Sequence, residues 1–147
     1  MLLATPDYRV VAVDDTPLHP AFCRVILMRH VREMTDLDAP ARAALMDAVF
    51  ATERAMRAVF PSCKINLASL GNLTPHLHWH VIARFSEDPH FPAPIWANAL
   101  HARAVALAPD WAEAVKHHLT QALGDTSTPV HAAQTAATDV LLSQPGT

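Results

Sequence analysis

Glycine and cysteine are scarce, 3 and 2 among 147 residues. So few glycines exclude collagen-like and Gly-rich architectures. The cysteines, Cys23 and Cys63, form no C-x-x-C pair. Neither a disulfide nor a zinc knuckle is expected, and a reduced setting is the plainest reading. No uninterrupted apolar run approaches the ~18 residues a membrane span needs. The start, Met1-Leu2-Leu3-Ala4-Thr5-Pro6-Asp7, lacks a basic region and a long apolar stretch, so no signal peptide is expected. These absences point to a cytoplasmic protein with no membrane partner. Positive charge is not in surplus either; the net charge is −3 with histidine neutral. That argues against binding polymeric nucleic acid through a broad basic surface. It leaves room for a small phosphorylated ligand in a local pocket.

What is present is a core. Hydrophobic residues make up 51% and charged residues 17%, which excludes a mostly disordered chain. The length suits about one domain. Such a chain can bury roughly two-thirds of its unfolded surface without staples. The unusual count is 10 His, and their placement matters more than their number.

The first third reads as strands. Tyr8-Arg9-Val10-Val11-Ala12-Val13 is β-rich and stops at the turn cluster Asp14-Asp15-Thr16-Pro17. Phe22 to Met28 is a second short apolar run, close enough to pair antiparallel with the first. Asp38 is a candidate N-cap, with Pro40 in a first helical turn. Leu45, Val49, Met56 and Phe60 recur at helical spacing, while Arg42, Glu53 and Arg57 can face water. Pro61 ends that helix. Lys64-Ile65-Asn66-Leu67 could be a strand, and Gly71-Asn72 marks a turn. Ser86 to Pro94 is a Pro-rich loop. From Ala97 the Ala-rich chain is expected to be helical and broken at Pro109. Asp110 with Glu113 resembles an acidic capping box, and Gly124 suits the position just past a helix. Residues 125–147 read as a loose tail, with a short ordered piece at Asp139-Val140-Leu141-Leu142.

Chemistry is concentrated at His76-Leu77-His78-Trp79-His80-Val81-Ile82. Side chains alternate across a strand. His76, His78 and His80 therefore share one face, and Leu77, Trp79 and Val81 the other. The apolar face can anchor the strand while the opposite face presents three imidazoles. Neighbouring Cβ positions on one face lie about 6.5–7 Å apart. A zinc ion draws nitrogen ligands to about 2.1 Å, which two neighbouring histidines can satisfy and three in a row cannot without distortion. No nearby Cys or carboxylate completes a ligand set. A row of donors suits a phosphate chain better. The other readings are a metal site and three surface histidines without function. A neutral imidazole can attack phosphorus, and its second nitrogen then needs an acceptor that fixes the tautomer. The central position suits the attacker.

The segment fits His-φ-His-φ-His-φ-φ at all seven positions, φ being apolar, and so resembles the histidine-triad (HIT) family of nucleotide hydrolases and transferases. The resemblance runs from about Tyr8 to Trp96. Asn66, Gly71-Asn72, Arg84-Phe85 and the run Asp88-Pro89-His90-Phe91-Pro92-Ala93-Pro94-Ile95-Trp96 look like a bacterial subgroup. It implies an α+β fold: an antiparallel sheet of about five strands, one main helix and a helical C-terminal extension. The division would be a HIT domain over 1–100, a helical extension over 101–124 and a flexible tail over 125–147. The implied activity is hydrolysis of a nucleotide phosphoanhydride or phosphoramidate, as in diadenosine polyphosphate hydrolases and nucleoside phosphoramidases. His78 would carry the nucleotidyl group, with His76 and His80 orienting it and contacting phosphate or leaving group. Asn66 and Asn72 would touch phosphate or the nucleophile, and Asp14 the ribose hydroxyls. The covalent step would need no cofactor, although a divalent metal could accompany the substrate. The implied partners are a nucleotide and a second copy of the chain, as a homodimer.

The pattern departs from the family at Leu73-Thr74-Pro75, where many members carry Ser or Thr and then Val. Pro75 removes a backbone donor, and Thr74 becomes the nearest hydroxyl for the leaving group. A further histidine of one branch is replaced by Ala21-Phe22. His80 argues against the transferase branch, which has Gln there. The altered stretch motivates the alternative, a non-catalytic nucleotide-binding regulatory module. A metal-dependent hydrolase is a third reading. Elsewhere the plain roles are turn formers for Asp14 and Asn72, a strand-end cap for Asn66, buried thiols for the cysteines and surface pairs for Arg24 and Arg84. His90 and Trp96 could close over a base, or Trp96 could serve packing or dimer contact. His19 and His30 flank the second strand and carry no pattern.

Overall fold

Short β-rich apolar runs build the first strands, as the sequence predicts. The computed structural model describes residues 1–13, 18 and 21–124. Asp14, the Asp14-to-Pro17 turn and the 125–147 tail lie outside the described residues. A two-residue strand β1 (Leu3–Ala4) precedes β2 (Tyr8–Ala12) and β3 (Phe22–Leu27). Helix α1 (Ala39–Val59) leads into β4 (Lys64–Ala68) and β5 (His78–Arg84), and α2 (Trp111–Leu123) closes the described chain. The five strands form one antiparallel sheet in the order β1-β2-β3-β5-β4. This is the α+β architecture expected. β1 has too few residues to show a periodicity, so no pattern announced it.

The register gives the sheet two unlike faces. Val10, Cys23, Val25, Val81 and Ile65 point to α1 and lie in the main buried cluster. The helix answers with Leu45, Ala48, Val49, Ala51, Thr52, Ala55 and Met56, all buried. Three alanines on that stripe let the helix backbone approach the strands closely. Thr52 carries the stripe's one hydroxyl and donates it to the Ala48 carbonyl at 2.8 Å, so no polar group is stranded. The Asp38 side chain accepts from the Ala41 N–H at 2.9 Å, and Pro40 follows in the first turn. Phe60 closes the helix by donating its N–H to the Met56 carbonyl, and Pro61 continues outward.

Helix α2 sits on α1, with Val115 and Leu119 fully buried in the same cluster. The expectation of helix from Ala97 is corrected, because residues 97–108 are irregular. Leu100 and Leu107 stand seven apart, but Leu100 is exposed and Val105 lies off the face they would share. Alanine propensity alone does not offset the ordering cost of a helix that lacks an apolar stripe. The expected acidic cap is also corrected: the Asp110 side chain makes no cap bond. Its backbone, at φ −96° and ψ 8°, is not in the extended form that aims an N-cap carboxylate over the turn. Glu113 instead pairs with Lys116 Nζ at 3.2 Å on the surface. Gly124 ends α2 at φ 60°, where a side chain would be strained.

Truncating Leu45 to Ala should destabilise the fold by about 2–5 kcal/mol, because the site lies fully inside the helix–sheet contact. Asp38→Ala should cost about 1 kcal/mol. Urea unfolding of both variants checks the two values, and equal costs would contradict this account of the core.

Candidate active site

The opposite face of the sheet carries the histidines. β5 pairs with β3 so that His78 faces Ile26 and His80 faces Arg24. On its other side β4 places Ala68 opposite His80 and Asn66 opposite Ile82. Leu77 and Val81, which alternate with the histidines, are buried on the helix side, and Trp79 packs partly buried beside them. The apolar residues of the motif thus hold the strand, and its polar residues are left for chemistry.

His78 is half-buried at the start of β5. Its Nδ1–H donates to the His76 carbonyl at 2.7 Å. A neutral ring protonated there keeps its lone pair on Nε2. The Ser69 hydroxyl donates to the His78 carbonyl at 2.8 Å and braces the strand from the β4 side. The rings of His78 and His80 lie 4.8 Å apart, edge to face. They are brought closer than the Cβ spacing of a flat strand would suggest.

His80 is buried against Phe22 at 5.3 Å and Trp96 at 5.4 Å. Its Nδ1 is enclosed and has no hydrogen-bond partner among the described residues. Burial, the neighbouring His78 and the Arg24 guanidinium together lower its pKa to about 4. His80 is therefore neutral at physiological pH and acts as a polar ring rather than a cation.

His76 precedes the strand proper. Its Nε2–H donates to the Leu27 carbonyl at 2.6 Å, and its Nδ1 meets His30 Nδ1 at 3.1 Å. With the proton on Nε2, a neutral His76 accepts at Nδ1, so the shared proton belongs to His30. No sequence pattern marks His30 for a role. Its partnership becomes visible only when the β3–β5 register is known.

Asn66 is engaged: its Oδ1 accepts from Arg84 Nη1 at 2.8 Å. The amide is thereby oriented, with its NH2 turned from the guanidinium. Asn72 and Thr74 are exposed on the loop before β5, and the Thr74 carbonyl accepts from the His76 N–H at 2.8 Å. Asp14 is outside the described residues.

Arg84 departs from the surface pairing expected of it. It is 2% exposed and bidentate to Asp88, with Nε and Nη2 at 2.7 and 2.9 Å from the two carboxylate oxygens. Burial alone would raise the Asp88 carboxyl, but Arg84 and the N–H groups of His90 and Phe85 outweigh it and hold it below its usual value. Burial pushes the Cys23 thiol up to about 12 and raises Cys63 as well, so neither is a ready thiolate at neutral pH. Among the described residues, no group of three His, Cys, Asp or Glu is placed to hold a metal ion. No helix among them is long and apolar enough to cross a membrane.

Fold and site together define an α+β protein built around a histidine-bearing strand paired on both sides within an antiparallel sheet. The family model for the HIT domain matches residues 1–87, more than half of the chain. The chain belongs to the HIT domain family. Among solved structures it is similar to a histidine triad protein from Bradyrhizobium japonicum, at 28% identity and a TM-score of 0.63 over 79% of this chain and 84% of that one. It is also similar to a histidine triad protein from Marinobacter aquaeolei VT8, at 26% identity and a TM-score of 0.64 over 86% and 89%. A histidine triad protein from Sinorhizobium meliloti 1021 shares the fold at 23% identity and a TM-score of 0.61, over 78% and 82%. No curated protein matches the chain.

His80 ties stability to pH. The unfolded chain takes up this proton near pH 6.5 and the folded one near pH 4. Between those values the unfolded state binds more protons, so stability falls as pH drops through the window. On acidification from pH 7.5 to 5, wild type should lose about 1–2 kcal/mol more than His80→Phe. Urea denaturation at both pH values measures this, and equal losses would contradict the assignment.

Proposed function

We propose that the chain hydrolyses a nucleotide phosphoanhydride or phosphoramidate through a nucleotidyl-histidine intermediate. The observation that supports this reading is the 2.7 Å bond from His78 Nδ1–H to the His76 carbonyl. It leaves Nε2 of a half-buried ring with the lone pair, as a nucleophile requires. The Nε2 lone pair forms a bond to the α-phosphorus while the bond to the leaving oxygen or nitrogen breaks. The leaving group departs with that electron pair and takes a proton. Water then attacks the same phosphorus, the P–N bond breaks, and His78 is regenerated as the nucleotide leaves. The histidine carries the nucleotidyl group without a cofactor, and a divalent cation can accompany a polyphosphate substrate.

The neighbours divide the remaining work. His80, neutral and one pleat repeat along the strand, donates to phosphate oxygen without competing as a charge. His76 supplies the carbonyl that orients His78 and is itself held by Leu27 and His30. Asn66, with its carbonyl oxygen occupied by Arg84, offers N–H donors to phosphate. Asn72 and Thr74, on the exposed loop, reach substrate or leaving group, and Asp14 accepts from the ribose hydroxyls. Two copies assemble as a homodimer in the cytoplasm. β4 ends the sheet, and the outer edge of such a strand can pair with another chain.

A second reading, a nucleotide-binding regulatory module, draws on Pro75. It has no N–H to offer a phosphate or leaving group at the entry to the triad. Binding of nucleotides without turnover of any of them would favour it.

Replacing His78 by Ala should reduce turnover of an adenosine phosphoramidate or diadenosine polyphosphate by a factor of about 10³ or more and leave circular dichroism unchanged. Quenching the wild-type reaction in acid-free denaturant should reveal the nucleotidyl mass on the peptide that contains His78. Full activity in the Ala variant would end the hydrolase reading.

A further inference from the structure

A half-exposed tryptophan beside the triad is not used by the chemistry above. Trp96 is 52% exposed, yet its ring rests 5.4 Å from His80, at 73°. Leaving so much of an indole in water has a cost that its neighbours do not remove. Trp96 follows directly on the Pro-rich loop after β5, within the irregular stretch that leads to α2, and such loops are ordinarily free to vary. This one is nailed down at several points.

The anchor is Arg84. Its Nε and Nη2 grip Asp88, a second Nη2 bond reaches the Ala93 carbonyl at 2.8 Å, and Nη1 holds Asn66 on β4. The loop is therefore fastened both near its start, at Asp88, and near its end, at Ala93. Asp88 adds the N–H groups of Phe85 and His90. Further on, the Leu100 N–H donates to the Pro89 carbonyl at 2.7 Å. Ile95 then packs on Val13, Phe22 and Ile82, a small apolar cluster on the histidine face that is separate from the main core. A buried bidentate ion pair is a costly way to hold a loop. Removing either partner would strand a charge, so the position of the loop is strongly specified.

We propose that this clamp holds Trp96 as a stacking platform for a flat aromatic ring carried by a phosphate-bearing ligand at His78 and His80. The platform stands on one side of the histidines with its exposed surface free. It gives affinity through ring overlap, which every planar heterocycle can use, rather than through hydrogen-bond readout. The ring is either the nucleobase itself or an aromatic leaving group. Trp96 thus sets which phosphate compounds the site retains, and Arg84 with Asp88 is its positioning pair. The assignment rests on the nucleotide reading of the site and adds a specificity residue to it.

The test compares ligands with and without the ring. Binding of adenosine monophosphate and of ribose 5-phosphate is measured by calorimetry for wild type, Trp96→Ala and Trp96→Phe. In parallel, kcat/KM is measured for adenosine phosphoramidates with an aryl or an unsubstituted leaving amine. If the nucleobase uses the platform, Trp96→Ala should weaken adenosine monophosphate about tenfold, spare ribose 5-phosphate, and be largely rescued by Phe. If the leaving group uses it, the loss of about tenfold should appear in kcat/KM for the aryl amide alone, again with rescue by Phe. Either pattern supports the proposal. Indifference of all these ligands to Trp96, or equal losses with and without the ring, overturns it and leaves the hydrolase reading standing. Failure of wild type to bind or turn over any of the four compounds overturns both.

Discussion

The antiparallel pairing of β3 with β5 is the constraint on which the rest depends. Its register places Val25 opposite Trp79 and Cys23 opposite Val81 on the helix side. The same register sets Ile26 against His78 and Arg24 against His80 on the other. A slip of one residue would exchange the two faces. It would send imidazoles into the contact with α1 and apolar side chains onto the opposite face. The fully buried Val25, Val81, Val49 and Met56 oppose that slip. The stability of the core and the orientation of His78 are therefore one problem, solved by one ladder.

Much of this was legible in the chain. Strict alternation from His76 to Ile82 gave both faces of β5 before any coordinates, because a half-buried strand has a period of two. The apolar spacing from Leu45 to Met56, with Asp38 and Pro40 ahead of it, located α1 because caps and stripe agreed. The Ala97–Ala108 stretch misled for the opposite reason. It has composition without periodicity, and composition alone carries no tertiary partner. The site was legible in part. The histidines were visible as a motif, but His30 and Ser69 reach them through backbone carbonyls and ring contacts set by register. Arg84 and Asp88 stand four apart in a segment that reads as strand and loop. Nothing local indicates that both are buried.

Electrostatics separate the two halves of the site. On one side the Arg84–Asp88 pair keeps full charges in the interior because each is saturated with hydrogen bonds. On the other, His80 avoids the cost of a buried charge by remaining neutral. The contrast has a chemical logic. A cation at His80 would attract phosphate strongly and hold the product as firmly as the substrate. In the proposed hydrolysis, a neutral donor beside a neutral His78 would orient phosphate without raising that barrier to release.

Tautomers propagate through the same backbone. The Leu27 carbonyl holds the proton of His76 on Nε2, which leaves Nδ1 to accept from His30. The peptide carbonyl of His76 holds the proton of His78 on Nδ1. Neither assignment requires a carboxylate partner, the usual device for fixing an imidazole. Carbonyls suffice because β3 and β5 are already locked by packing, so the acceptors cannot move away. The sheet, rather than a third ionised side chain, thus sets the direction in which the Nε2 lone pair of His78 points.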